Sequence, residues 1–112
     1  MTNETWPPYF VFDKSGNDVA IFGTLEAAQA FVEPPDVDDA EVFDGLGRRY
    51  HLVVAGRKVS MSPCRDDPSM SALQRRIMAF LAAIQQDEGL ADLEWPDFIR
   101  ESSERIAVWQ KL

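Results

Sequence analysis

Between residues 9 and 62 the apolar positions fall in short runs, several of them alternating with polar ones. From residue 68 onward they recur at helical spacing. The first pattern predicts strands over Tyr9–Asp13, Asn17–Phe22, Ala40–Asp44, Arg48–Ala55 and Lys58–Ser62. In the later strands Val42, Tyr50, Leu52, Val54, Val59 and Met61 share one face. Glu41, Phe43, Arg49, His51, Val53, Lys58 and Ser60 share the other, so one face reads as core and one as mostly wet. Between the second and third strands, Thr24 is a natural N-cap for a short helix over Leu25–Glu33, stopped by Pro34-Pro35. Leu25, Ala28 and Val32 lie on one side of it and Ala27 and Phe31 on the other. Either this helix is sandwiched or Phe31 is exposed.

Helical spacing then predicts a helix from Pro68 to about Asp87, with Asp67 as N-cap and Gly89 as C-cap. Its stripe holds Met70, Leu73, Ile77, Phe80, Leu81 and Ile84, of which Leu73, Ile77, Phe80 and Ile84 should be buried against the Val42/Leu52/Val54/Met61 face. A last helix opens at Pro96 and runs to about Lys111, with Arg105 snorkelling from the edge of its apolar stripe. The expected architecture is α+β: a mainly antiparallel sheet of about five strands in the order ββα-βββ-αα, with helices packed on one face. Residues 1–8, ending in Pro7-Pro8, read as an extended arm, and residues 9–112 as a single α+β domain.

The string Val-Phe-Asp-x-x-Gly occurs twice, at Val11–Gly16 and Val42–Gly47. Asp opening a turn and Gly closing it in the left-handed region is the chemistry of a three-residue hairpin loop. That geometry predicts positive φ at Gly16 and Gly47. It pairs Asp13 with Asn17, Val11 with Val19 and Tyr9 with Ile21. The second copy pairs Asp44 with Arg48, Val42 with Tyr50 and Glu41 with His51. The repeat reads either as a duplication or as common turn chemistry written twice.

Charge divides the chain. Of 112 residues, the first 47 carry ten acids and one base, and the remainder nine acids and ten bases, for a net charge of −8. Such a chain repels phosphates and is a poor nucleic-acid binder, but it can attract a basic protein. The acids concentrate in Asp36, Asp38, Asp39, Glu41 and Asp44, with Glu33 just ahead. The run lacks the glycine and the final glutamate of an EF-hand, so no metal is assigned to it. One cysteine and one histidine cannot make a zinc site. The lone cysteine, with no signal-peptide pattern and no apolar run long enough to span a bilayer, suits a cytoplasmic protein away from membranes. No phosphate-binding loop or nucleophile elbow is present, and nothing calls for a cofactor.

The segments Thr24-Leu25-Glu26-Ala27-Ala28, Glu33-Pro34-Pro35-Asp36-Val37 and Phe43-Asp44 make residues 9–62 resemble small actinobacterial-type α+β proteins, which often resemble the immunity proteins of bacterial toxin systems. The resemblance implies a cytoplasmic protein that binds and blocks a toxin. The expected function is therefore a non-catalytic protein-binding module. Its partner would be a basic protein, met by Phe31, Asp36, Asp38, Asp39, Glu41 and Asp44. A small-molecule-binding or sensing domain is the alternative. An enzyme built on His51 and Cys64 as base and nucleophile is the third reading.

Overall fold

Strand β1, Tyr9–Asp13, is an interior strand whose Tyr-Phe-Val-Phe run is buried on both sides. An uninterrupted apolar strand is what a sheet covered on both faces requires. The computed structural model describes residues 7–16 and 18–111. Most of the expected N-terminal arm, residues 1–6, and the expected Asp13–Asn17 pairing lie outside them. β1 is flanked by β2, Val19–Phe22, and β3, Ala40–Phe43. Beyond β3 come β4, Arg49–Ala55, and β5, Lys58–Pro63. The order is β2-β1-β3-β4-β5, and every neighbouring pair is antiparallel. The fold is α+β, as the alternation of the sequence predicts.

The two copies of the repeated string face each other, with Val11 opposite Val42 and Phe10 opposite Phe43. Their turns differ. In the second, the Asp44 N–H bonds the Arg48 carbonyl, the Gly47 N–H bonds the Asp44 carbonyl, and Gly47 has φ 85°. Val42 pairs with Tyr50, as expected. In the first, the Asp13 N–H reaches the Asp18 carbonyl at 3.1 Å, one residue further than expected. Val11 therefore pairs with Ala20, and Phe12 with Val19. Gly16 stays out of the left-handed region, which corrects the expected positive φ there. The longer loop turns the chain without needing it.

Helix α1, Leu25–Phe31, is capped by Thr24 Oγ1, which accepts the Ala27 N–H at 3.1 Å. It covers Tyr9, Val11, Val42, Tyr50, Val59 and Met61 with Ala28 and Val32. Helices α2, Met70–Ala83, and α3, Trp95–Gln110, cover the opposite face. There Leu73, Ile77, Phe80 and Leu81 meet Phe10, Phe12 and Phe43, with Phe98, Ile99 and Ile106 from α3 and the loop residue Leu90. The two long helices thus share one face as expected, but it is the Phe43 face. The Val42/Met61 face they were assigned belongs to α1. The β4–β5 hairpin extends past α2 and α3, which leaves Val53 56% exposed.

α2 starts later and ends sooner than its apolar stripe predicts. Ser69, held by an N–H bond to the Gly47 carbonyl at 2.9 Å, is the N-cap and accepts the Ala72 N–H. At the other end Gln85 takes φ 60° and the Gln86 N–H closes on the Leu81 carbonyl at 2.7 Å. That is the left-handed helix stop usually made by glycine. Gly89, expected in that role, has φ 79° in the following turn. Among the described residues, no helix is long and apolar enough to cross a membrane.

Candidate functional site

The region between α1 and β3 is a 3-10 helix, Pro34–Asp39, opened by the two prolines whose missing N–H groups cost nothing at a helix start. The Asp36 N–H bonds the Glu33 carbonyl at 2.8 Å, and the tight turn leaves Asp36, Asp38 and Asp39 exposed. β1–β3 pairing sets Asp13 opposite Ala40, so the first hairpin loop lies against the end of this turn. The Lys14 N–H donates to the Asp39 carbonyl at 2.8 Å and ties the two together.

The result is a cleft of about 330 Å³. Phe31, Asp36 and Asp39 line it, together with Asp13, Ser15 and Glu33. Phe31 is 54% exposed, its ring 5.0 Å from that of Phe22. Asp13 accepts both the Ser15 N–H at 3.0 Å and the Ser15 hydroxyl at 2.9 Å. These two bonds hold its carboxyl below the usual carboxylate range, the backbone bond first. A carboxylate-rich wall beside an accessible aromatic face is suited to a cationic side chain, by Coulomb attraction and by the ring's quadrupole.

The other sequence candidates stand elsewhere. Asp38 is exposed on the same 3-10 helix but is not among the cleft's walls. The β3–β4 register is the expected one, with Val42 opposite Tyr50, but the Glu41 side chain turns to the α2 side, where its carboxylate meets Arg49 Nε at 3.4 Å and Arg76 Nε at 3.5 Å. Arg76 stacks over Phe12 and Arg49 over Phe43, so Glu41 joins β3, β4 and α2. Asp44 is fully buried. Its carboxylate accepts the Leu46 and Arg48 N–H groups and the Tyr50 hydroxyl, and burial puts it out of a partner's reach. Burial, reinforced by that Asp44 contact, pushes the Tyr50 phenol up. The acidic run read as one surface is therefore split between an exposed cleft and two structural sites.

His51 is exposed opposite Ser62, and Cys64 follows β5 with its N–H on the Arg49 carbonyl at 2.8 Å. Among the described residues no hydrogen bond joins the two side chains. Burial first, then Asp66, pushes the Cys64 thiol up, which favours the less nucleophilic form. Arg105 is anchored: its Nη1 donates to the carbonyls of Gln86 at 2.6 Å and Glu88 at 2.8 Å. No group of three or more His, Cys, Asp or Glu side chains among the described residues is placed to hold a metal ion.

Asp13 escaped the sequence reading as a site residue because it and Asp39 are far apart in the chain. Only the β1–β3 pairing unites them, and hydrophobic periodicity does not encode strand order. Comparison with protein families, with curated proteins and with solved structures gives no match. The fold and the cleft thus define the chain no further than an α+β module with an acidic, aromatic-edged recess.

Proposed function

We propose that this chain is a non-catalytic protein-binding module whose acidic cleft receives a basic protein, as an immunity protein would neutralise a cationic toxin. The observation that carries the reading is the convergence of Phe31, Asp36 and Asp39 with Asp13 and Glu33 on one cleft. An excess of negative charge steers a cationic partner and fixes its orientation. An Arg or Lys side chain entering beside Phe31 then gains both an ion pair and a cation–π contact. The net charge of −8 adds long-range attraction.

The test is kinetic. A basic partner is captured from the native host on wild-type protein, purified, and its association measured over a salt series. The association rate should fall steeply as salt screens the charges. Asp36→Lys/Asp39→Lys should lower that rate, and Phe31→Ala should speed dissociation. His51→Ala and Cys64→Ala should leave binding intact. A salt-independent rate, or unchanged binding by the Asp36/Asp39 variant, would overturn the reading.

A further inference from the structure

Both edges of the sheet are touched by a glutamine side chain, but in different ways. At β5, Gln29 Oε1 accepts the Met61 N–H at 2.8 Å. That edge also carries Lys58 and ends in Pro63, both of which discourage strand addition. At β2, Gln110 makes two bonds: its Oε1 accepts the Ile21 N–H at 2.9 Å, and its Nε2 donates to the Ile21 carbonyl at 3.3 Å. A side-chain amide there reproduces the pair of bonds that the backbone of an incoming antiparallel strand would make.

Among the described residues no other side chain bonds the outer edge of β2. Its sequence, Val-Ala-Ile-Phe, holds no charge and no proline. The Gln110 bonds show that the Ile21 backbone groups point away from β1, and by the two-residue period those of Val19 do too. This edge is self-complementary. A two-fold axis through Ala20 sets Ile21 of one copy against Val19 of the other, with both backbone bonds available in each pair. The same last turn of α3 that holds Gln110 presents Val108, 63% exposed, and Trp109, 49% exposed. Both line a recess with Ile84 and Gln86 at the end of α2, not the β2 edge.

We propose that the β2 edge is a strand-pairing site for a second copy of this chain, kept closed by the Gln110 amide. Release of the last turn of α3 opens it. The proposal is independent of the acidic cleft.

Sedimentation equilibrium and amide hydrogen exchange test it. Wild type should remain monomeric. Gln110→Met, which keeps the length of the side chain without its amide, and Gln110→Ala should both show mass doubling as concentration rises. The Val19 and Ile21 amides should exchange more slowly in the dimer. Ala20→Lys in the Gln110→Met background should restore the monomer, because the two-fold sets like charges directly opposite each other. A folded, monomeric pair of Gln110 variants would overturn the proposal. So would a dimer that ignores Ala20→Lys or leaves the Val19 and Ile21 amides unprotected. A wild type already dimeric through this edge would overturn the closed state.

Discussion

The Gly47 carbonyl accepts the Ser69 N–H at 2.9 Å, and a Cβ added at Gly47 would stand 2.6 Å from the Ser69 carbonyl oxygen. The β3–β4 turn and the N-cap of α2 are therefore in direct backbone contact, at a residue whose φ is 85°. Trp95 fastens the same turn from α3, its Nε1 donating to the Gly45 carbonyl at 2.8 Å. Gly47→Ala should destabilise the fold by about 1–3 kcal/mol, since left-handed strain and a backbone clash add. Gly16→Ala should stay within about 0.5 kcal/mol, because its nearest neighbour is the Asp13 carboxylate at 3.7 Å. Urea unfolding of both variants checks the contrast. Equal effects would show that the two copies of the string do the same job.

Gln85 does glycine's work at the end of α2, at φ 60°. A side chain with a Cβ costs about 1–2 kcal/mol in that region. Gln85→Gly should raise stability by about 0.5–1 kcal/mol, measured by thermal melting, despite the greater entropy of glycine in the unfolded chain.

Ile77 is fully buried against the phenylalanines of β1 and β3. Ile77→Ala should cost about 2–5 kcal/mol. Val53→Ala, on the uncovered face of β4, should change stability by less than about 0.5 kcal/mol. A large loss at Val53 would mean that something covers that face. The pair also measures what the sequence reveals. The apolar stripe of α2 identifies its buried side through Leu73, Ile77, Phe80 and Leu81, although Met70 at its start is exposed and Ile84 at its end only half-buried. It does not say which face of the sheet that side meets. The sign was in β1: Tyr9, Phe10, Val11 and Phe12 leave no polar position to face solvent, so both faces had to be covered. Strand order, which brings Asp13 to Asp39, has no comparable local signature.

Ser15 makes Asp13 a stronger acid in the folded chain than in the unfolded one. A depressed folded pKa contributes stability that is fully present above the ordinary carboxylate range. That contribution is lost as pH falls through the folded value. Asp13→Asn should therefore flatten part of the acid limb of the stability profile and leave the slope above neutral pH unchanged. Ser15→Ala keeps the backbone bond and removes the hydroxyl one, so it should return the Asp13 carboxyl part of the way toward its ordinary range, read directly by an NMR titration of its side chain. A titration unmoved by Ser15→Ala would remove the hydroxyl as a cause and leave the backbone bond alone to carry the shift.

The acids of residues 33–44 should separate into two behaviours. Glu41 is held between Arg49 and Arg76, its side chain 26% exposed and each guanidinium stacked on a phenylalanine. Removing its charge leaves two cations facing each other across β3 and loosens the joint between α2 and the sheet. Glu41→Gln should cost about 1 kcal/mol of stability, at the upper end for a partly exposed network, and little in association rate. Asp36 and Asp39 make no ion pair among the described residues and stand among like charges in the cleft. Asp36→Lys/Asp39→Lys should leave the fold unchanged or slightly more stable, because it relieves repulsion, while slowing association with a basic partner. Chemical unfolding and stopped-flow association, run on the same two variants, give four numbers. If both variants lower stability and neither changes association, the cleft is only a solvated acidic surface.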